Sequence, residues 1–139
     1  MTETYADSKT PFYWKAGIVG SLIGGVVFGM LMAVMGMLPL IAGLIGSESS
    51  TVGFITHMAI SFIFGITFTI FAGVTKWNGI VSGVVYGFIL WFLFPFILMP
   101  IMMGSIEMAF QFNSGNLLSL IGHLMYGLTT GIVYKIMTR

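Results

Sequence analysis

The sequence predicts an all-α membrane protein: four transmembrane helices arranged as two tandem parallel-repeat helical hairpins, with a pseudo-twofold axis along the membrane normal. Three observations lead there. Of 139 residues, 58% are hydrophobic and 6% are charged, whereas soluble domains carry about 25% charged residues. Four apolar stretches each reach the roughly 20 residues that a helix needs to cross a bilayer core. The two halves of the chain also align with each other. Five basic and four acidic side chains cannot coat a soluble fold of this length, so lipid must solvate most of the exterior.

Taken in order, residues 1–15 are a polar tail of mixed charge, and 16–137 are the transmembrane domain. No cleavable signal is read at the start, because the first apolar run is too long and too Gly-rich for one. That first span runs from about 16 to 46, and Pro39 and Gly43 are expected to kink or end it near the far interface. The second span covers 52–74. The third covers 79–104, with Pro95 and Pro100 expected to act on it as Pro39 does on the first, and the fourth covers 117–137. Lipid-exposed strands are disfavoured, since an open sheet edge leaves backbone groups unsatisfied in hydrocarbon.

Charge sets the orientation. Lys9, Lys15, Lys76, Lys135 and Arg139 all fall on one side, and only Glu48 and Glu107 on the other. By the positive-inside rule the basic side is cytoplasmic, with both termini there and the spans in the plasma (inner) membrane. Phe12, Tyr13, Trp14 and Trp77 mark the same boundary as an aromatic belt.

The internal repeat rests on two shifts. At 58 residues, Gly25-Val26-Val27-Phe28-Gly29 matches Gly83-Val84-Val85-Tyr86-Gly87, and Gly46-Ser47 falls on Gly104-Ser105. At 66 residues, His57 matches His123, Ser61 matches Gly127, Gly65 matches Gly131, and Phe68 matches Tyr134. Repeat 1 is thus 16–74 and repeat 2 is 79–137. Two spans per copy insert both copies the same way up, and such hairpins pack as a four-helix bundle. Gly20/Gly24, Gly25/Gly29, Gly79/Gly83, Gly83/Gly87 and Gly127/Gly131 are small-xxx-small pairs, which allow close helix approach within the bundle or between protomers. Gly65 belongs to the same packing set.

Inside the spans the ionisable residues are His57 and His123. Each lies about six residues from the outer end of its helix, hence roughly 8–9 Å deep at 1.5 Å per residue. Intramembrane ionisable groups are functional candidates, and three readings of this pair compete. Each imidazole staples helices by bonding a nearby carbonyl or hydroxyl, such as Thr56, Ser61 or Tyr126. Alternatively, the two ligate a b-type haem from opposite helices, with glycines making room for the ring. In the third reading they hold a metal, copper before zinc, because twelve methionines include Met58, Met102, Met103 and Met125 toward the outer side. Against this, Met is also an ordinary filler of apolar cores. A haem b or copper cofactor is therefore left open.

Glu48, in Ser47-Glu48-Ser49-Ser50, suits the start of the second helix, where the dipole favours an acid. The 106–116 loop alternates apolar residues and suits the outer membrane surface. Without cysteine, disulfides and thiolate chemistry are excluded. No hydrolase, Walker, zincin or dinucleotide motif is present, and a net charge of +1 points to no nucleic-acid partner. The expectation is a small non-enzymatic membrane protein, a homo-oligomer, scaffold or subunit of a larger complex, with a paired-histidine site near its outer face. The alternatives are haem or copper binding for electron transfer or metal handling, and a small transporter or channel.

Thr56-His57-Met58-Ala59-Ile60-Ser61-Phe62, Trp77-Asn78-Gly79, the stretch from Pro95 to Gly104, and Ile121-Gly122-His123-Leu124 together resemble the YagU-like family of bacterial inner-membrane proteins. In that family a T-H-x3-S-type and a G-H-L-type motif open two helices at similar separation. The resemblance spans residues 52–137. It implies a multispan membrane protein carrying both histidines, and it implies no activity.

Overall fold

A computed structural model describes residues 11–139. Most of the expected polar tail, Thr2 to Thr10 with Lys9, lies outside the described residues. The described chain is all-helical. Four helices are long and apolar enough to cross a membrane: α1 (Trp14–Val34), α3 (Ser50–Thr75), the Gly79–Met102 span that begins with α4 (Gly79–Leu93), and α6 (Ser114–Met137). In hydrocarbon, every backbone donor needs a partner within its own segment. Helix therefore forms even in glycine-laden stretches that would be poor helix formers in water.

The first apolar run breaks earlier than Pro39 predicts. α1 stops at Val34, and Gly36 turns the chain with φ +67°, a left-handed conformation that glycine reaches without a Cβ penalty. Pro39 then lies in the first turn of a separate short helix, α2 (Leu38–Ala42). Its missing N–H costs nothing there, since the first-turn donors have no intrahelical acceptor. A 3₁₀ turn over Gly43–Ile45 leads into Ser49, whose hydroxyl caps α3. Glu48 is exposed and stands one residue ahead of that cap.

In the third span Pro95 acts as expected, whereas Pro100 lies in the first turn of a short helix. Pro95 offers no N–H to the carbonyl one turn back, and α4 loosens into a π-helical turn over Phe94–Leu98 before α5 (Met99–Met102). The following loop folds back onto this irregular end. The Phe110 N–H donates to the Phe96 carbonyl (3.2 Å), and the Phe96 and Phe112 rings lie 5.0 Å apart. Asn78 and Asn113 cap α4 and α6 by accepting from Ile80 and Asn116 N–H, each at 2.9 Å.

Packing follows small residues. The buried positions of α1 are Ala16-Gly17, Gly20-Ser21, Gly24-Gly25, Phe28-Gly29 and Met32, a paired stripe repeating every four residues. The two columns of that stripe serve different neighbours: α1 packs along α3 on one side and α6 on the other. α4 packs along the far side of α6. α3 and α4, although joined only by Lys76-Trp77-Asn78, touch sparingly.

Candidate functional site: a polar layer around Phe28

Where α1, α3 and α6 meet, the apolar core is interrupted by a connected set of polar groups. The Ser21 hydroxyl donates to the Ser61 carbonyl (2.5 Å) and accepts from the Tyr126 hydroxyl. One serine thus joins three helices. Glycine creates the room: a Cβ at Gly25 would run into Ser61, and one at Gly24 would meet the Tyr126 carbonyl at 2.8 Å. Ser21 and Ser61 are essentially inaccessible, as is Thr130, which returns its hydroxyl to the Tyr126 carbonyl at 2.8 Å.

Both histidines lie next to this junction, around one aromatic ring. The Phe28 ring centroid is 5.5 Å from the His57 imidazole and 4.8 Å from that of His123, edge-to-face in both cases. Phe28 reaches this position because residue 122 is glycine, and any Cβ there would overlap its ring. His57 Nε2 lies 2.9 Å from the Gly25 carbonyl, and His123 Nδ1 lies 2.8 Å from the Ser119 carbonyl. A carbonyl can only accept, so the proton is on Nε2 in His57 and on Nδ1 in His123. The first bond ties α3 to α1, whereas the second closes within α6. Each imidazole therefore meets a backbone carbonyl and the Phe28 ring, and the Ser119 hydroxyl also lies 3.4 Å from His123 Nδ1. Of the hydroxyls expected to serve the histidines, that of Tyr126 instead donates to Ser21, while Ser61 takes part through its backbone carbonyl.

The methionines expected beside the histidines go to different places. Met58 lies half-buried near Gly25, and Met125 is 38% exposed. Met102 and Met103 are 69% and 59% exposed, and with Met99, Pro39, Ser47 and Glu48 they line a shallow pocket at the end of the bundle opposite Lys76 and Lys135. Among the described residues, no group of three or more His, Asp or Glu side chains is placed to hold a metal ion.

Several glycines of the small-residue set lie against helix backbone, whereas Gly25 and Gly29 lie against side chains. A Cβ at Gly83 would overlap the Gly127 carbonyl oxygen, one at Gly127 the Gly83 carbonyl, and one at Gly131 the Gly79 carbonyl. Gly87 abuts the His123 carbonyl, Gly65 abuts Ile18 and Ser21, and Gly29 abuts Phe54 and His57. Between α3 and α4 the contact is aromatic. Phe68 lies 5.3 Å and Phe71 5.7 Å from Tyr86, whose hydroxyl is shared with Thr67 (2.5 Å) and the Phe64 carbonyl (3.0 Å).

Sequence reasoning missed Ser21 and Phe28 as organising residues. The available signal was their place in the four-residue small-residue stripe of α1, where the only hydroxyl and the only ring stand out among glycines. Among the described residues, one buried side-chain polar atom has no partner: Ser82 Oγ.

Residues 42–132 match a family described as "Protein of unknown function (DUF1440)", and the YagU-like resemblance is consistent with that match. No curated protein and no solved structure matches the chain.

Proposed function

The chain belongs to the DUF1440 family, and from that premise we propose that it is a non-enzymatic membrane scaffold or small subunit whose histidines are structural. The observation that carries this reading is the engagement of both imidazoles. Each donates to a backbone carbonyl, and the Phe28 ring packs against both. Ser21 with Tyr126, and Thr67 with Tyr86, link helices through hydroxyls, which is how polar side chains stabilise membrane bundles.

We also read the bundle as a duplicated hairpin, 16–74 and 79–137. Support comes from matched contacts: Gly29 against His57 and Gly87 against His123, Gly25 against Ser61 and Gly83 against Gly127, Ser21 against Gly65 and Gly79 against Gly131. Each pair maps onto the next under the shifts of 58 and 66 residues. The basic end is assigned to the cytoplasm of a plasma (inner) membrane on the positive-inside rule. Self-association or membership of a larger complex fits the many apolar side chains left on the bundle exterior. Because the chain has no cysteine, Ser47→Cys and Thr138→Cys give clean topology probes. An impermeant thiol reagent added outside should label only the first.

The deciding experiment is an absorption spectrum of the detergent-purified protein, oxidised and then reduced, with elemental analysis of the same sample. A colourless, metal-free protein is expected, with His57→Gln and His123→Gln lowering thermal stability without loss of membrane insertion. A Soret band or stoichiometric copper that either substitution abolishes would overturn the structural assignment.

A further inference from the structure

At the basic end of the bundle the ends of α3 and α6, the start of α4 and the residues leading into α1 line an open pocket of about 370 Å³. Its charged lining is Lys76 and Lys135, and its aromatic lining is Tyr13, Trp77 and Tyr134. The floor is made of Ala72, Gly73 and Gly79. The two lysines arrive from different helices. Lys135 is placed by close packing, since a Cβ at Gly79 would come within 3.1 Å of the Lys135 Cβ. Lys76 is placed by the backbone: it ends α3 with φ +55° while its N–H donates to the Ala72 carbonyl at 3.0 Å. That left-handed position normally belongs to Gly or Asn, and strain of this kind is held where surrounding structure over-determines it. Trp77 is set by an edge contact with Phe71 (6.0 Å) and Tyr13 by one with Tyr134 (6.1 Å).

No Asp or Glu side chain among the described residues shares this end of the bundle, because Glu48 and Glu107 belong to the opposite loops. Lys76 and Lys135 therefore line one pocket without an acidic side-chain partner among the described residues. Indole and phenol rings beside them suit the headgroup level of a bilayer, and basic pockets between helix ends are suited to phosphate headgroups.

We propose that the pocket framed by Lys76, Lys135, Trp77 and Tyr13 binds the phosphate of an anionic phospholipid headgroup. The lysines supply point charges to the phosphate oxygens, Asn78 adds a polar edge, and the aromatic rings hold the glycerol region at the interface.

The test is native mass spectrometry of the full chain in mild detergent, with phosphatidylglycerol or phosphatidylcholine added at equal concentration. Retention of phosphatidylglycerol over phosphatidylcholine is expected. Lys76→Gln and Lys135→Gln should each lower its occupancy about fivefold, as expected for one lysine beside an anionic headgroup. Lys15→Gln, at the same end but outside the pocket, should not. Lys76→Gly separates a structural role from a binding one: it relieves the left-handed backbone and should raise the melting temperature without lipid while weakening phosphatidylglycerol retention. Equal retention of phosphatidylcholine, an equal loss with Lys15→Gln, or unchanged retention with Lys76→Gly would overturn the proposal. Displacement of the lipid by millimolar inorganic phosphate or glycerol phosphate would place the ligand in the aqueous phase and overturn the lipid assignment.

Discussion

Helix α4 meets its two neighbours in different ways. Toward α6, Gly79, Gly83 and Gly87 face Gly127, Gly131 and the His123 carbonyl, so main chain lies against main chain with no side chain between. Toward α3, the space is bridged by rings, with Phe64, Phe68 and Phe71 reaching Tyr86 and Phe94. The glycine seam gains dispersion energy and loses little side-chain entropy, but it has no freedom to adjust. The aromatic contact holds helices at a distance through groups that can change rotamer. Opening of the bundle should therefore begin between α3 and α4, and spin labels across that pair should report a broader distance distribution than labels across α4 and α6.

Substitutions probe this contrast at descending size. Gly127→Ala should cost about 3 kcal/mol or more, the upper range for forcing a methyl into a packed interior, because the Cβ meets a backbone carbonyl that cannot rotate away. Gly127→Leu should prevent recovery of a folded bundle altogether. An unchanged melting temperature in detergent for the alanine variant would mean that α4 and α6 can part to admit a side chain. Ser21→Ala removes the hydroxyl joining α3 to α6 through α1 and should cost about 1–2 kcal/mol in the same assay, since it leaves the Tyr126 hydroxyl unpaired.

On the aromatic side the expected losses are smaller. Tyr86→Phe deletes the bond shared by Thr67 and the Phe64 carbonyl but keeps the ring, and about 0.6 kcal/mol is the typical worth of such a bond between membrane helices. A loss as large as that of Gly127→Ala would erase the distinction between the two contacts. Ser82→Ala should show the opposite sign. Its hydroxyl is fully buried without a partner, so removing it should leave the melting temperature unchanged or raise stability by up to about 1 kcal/mol.

Much of this was legible in the sequence, and the remainder was hidden for identifiable reasons. Four spans follow from hydropathy alone, because lipid leaves backbone polar groups no other outlet. The close glycine contacts were legible as pairs, but spacing does not say which neighbour a small face will meet. The end of the first span was misplaced because Pro39 looks like the stronger breaker. In a helix start its missing N–H is harmless, and the turn is made by Gly36 instead. The histidines were legible as the polar residues of the bundle. Their surroundings were not, because these depend on Phe28 crossing into the space left at Gly122, a tertiary contact between the first and last long helices.

The central placement of α1 has a consequence for how the protein is made. Its column of Gly17, Gly25 and Gly29 can engage α3 as soon as that helix leaves the insertion machinery. Its second column, Gly20 and Gly24, fits only against Tyr126 and Thr130 of α6, which emerges last of the four. Until then, acyl chains must line that groove and Ser21 must wait for Tyr126. Assembly is therefore a clasp closed by the final helix, and a ribosome stalled before α6 would leave three spans with an open notch that a membrane protease could recognise.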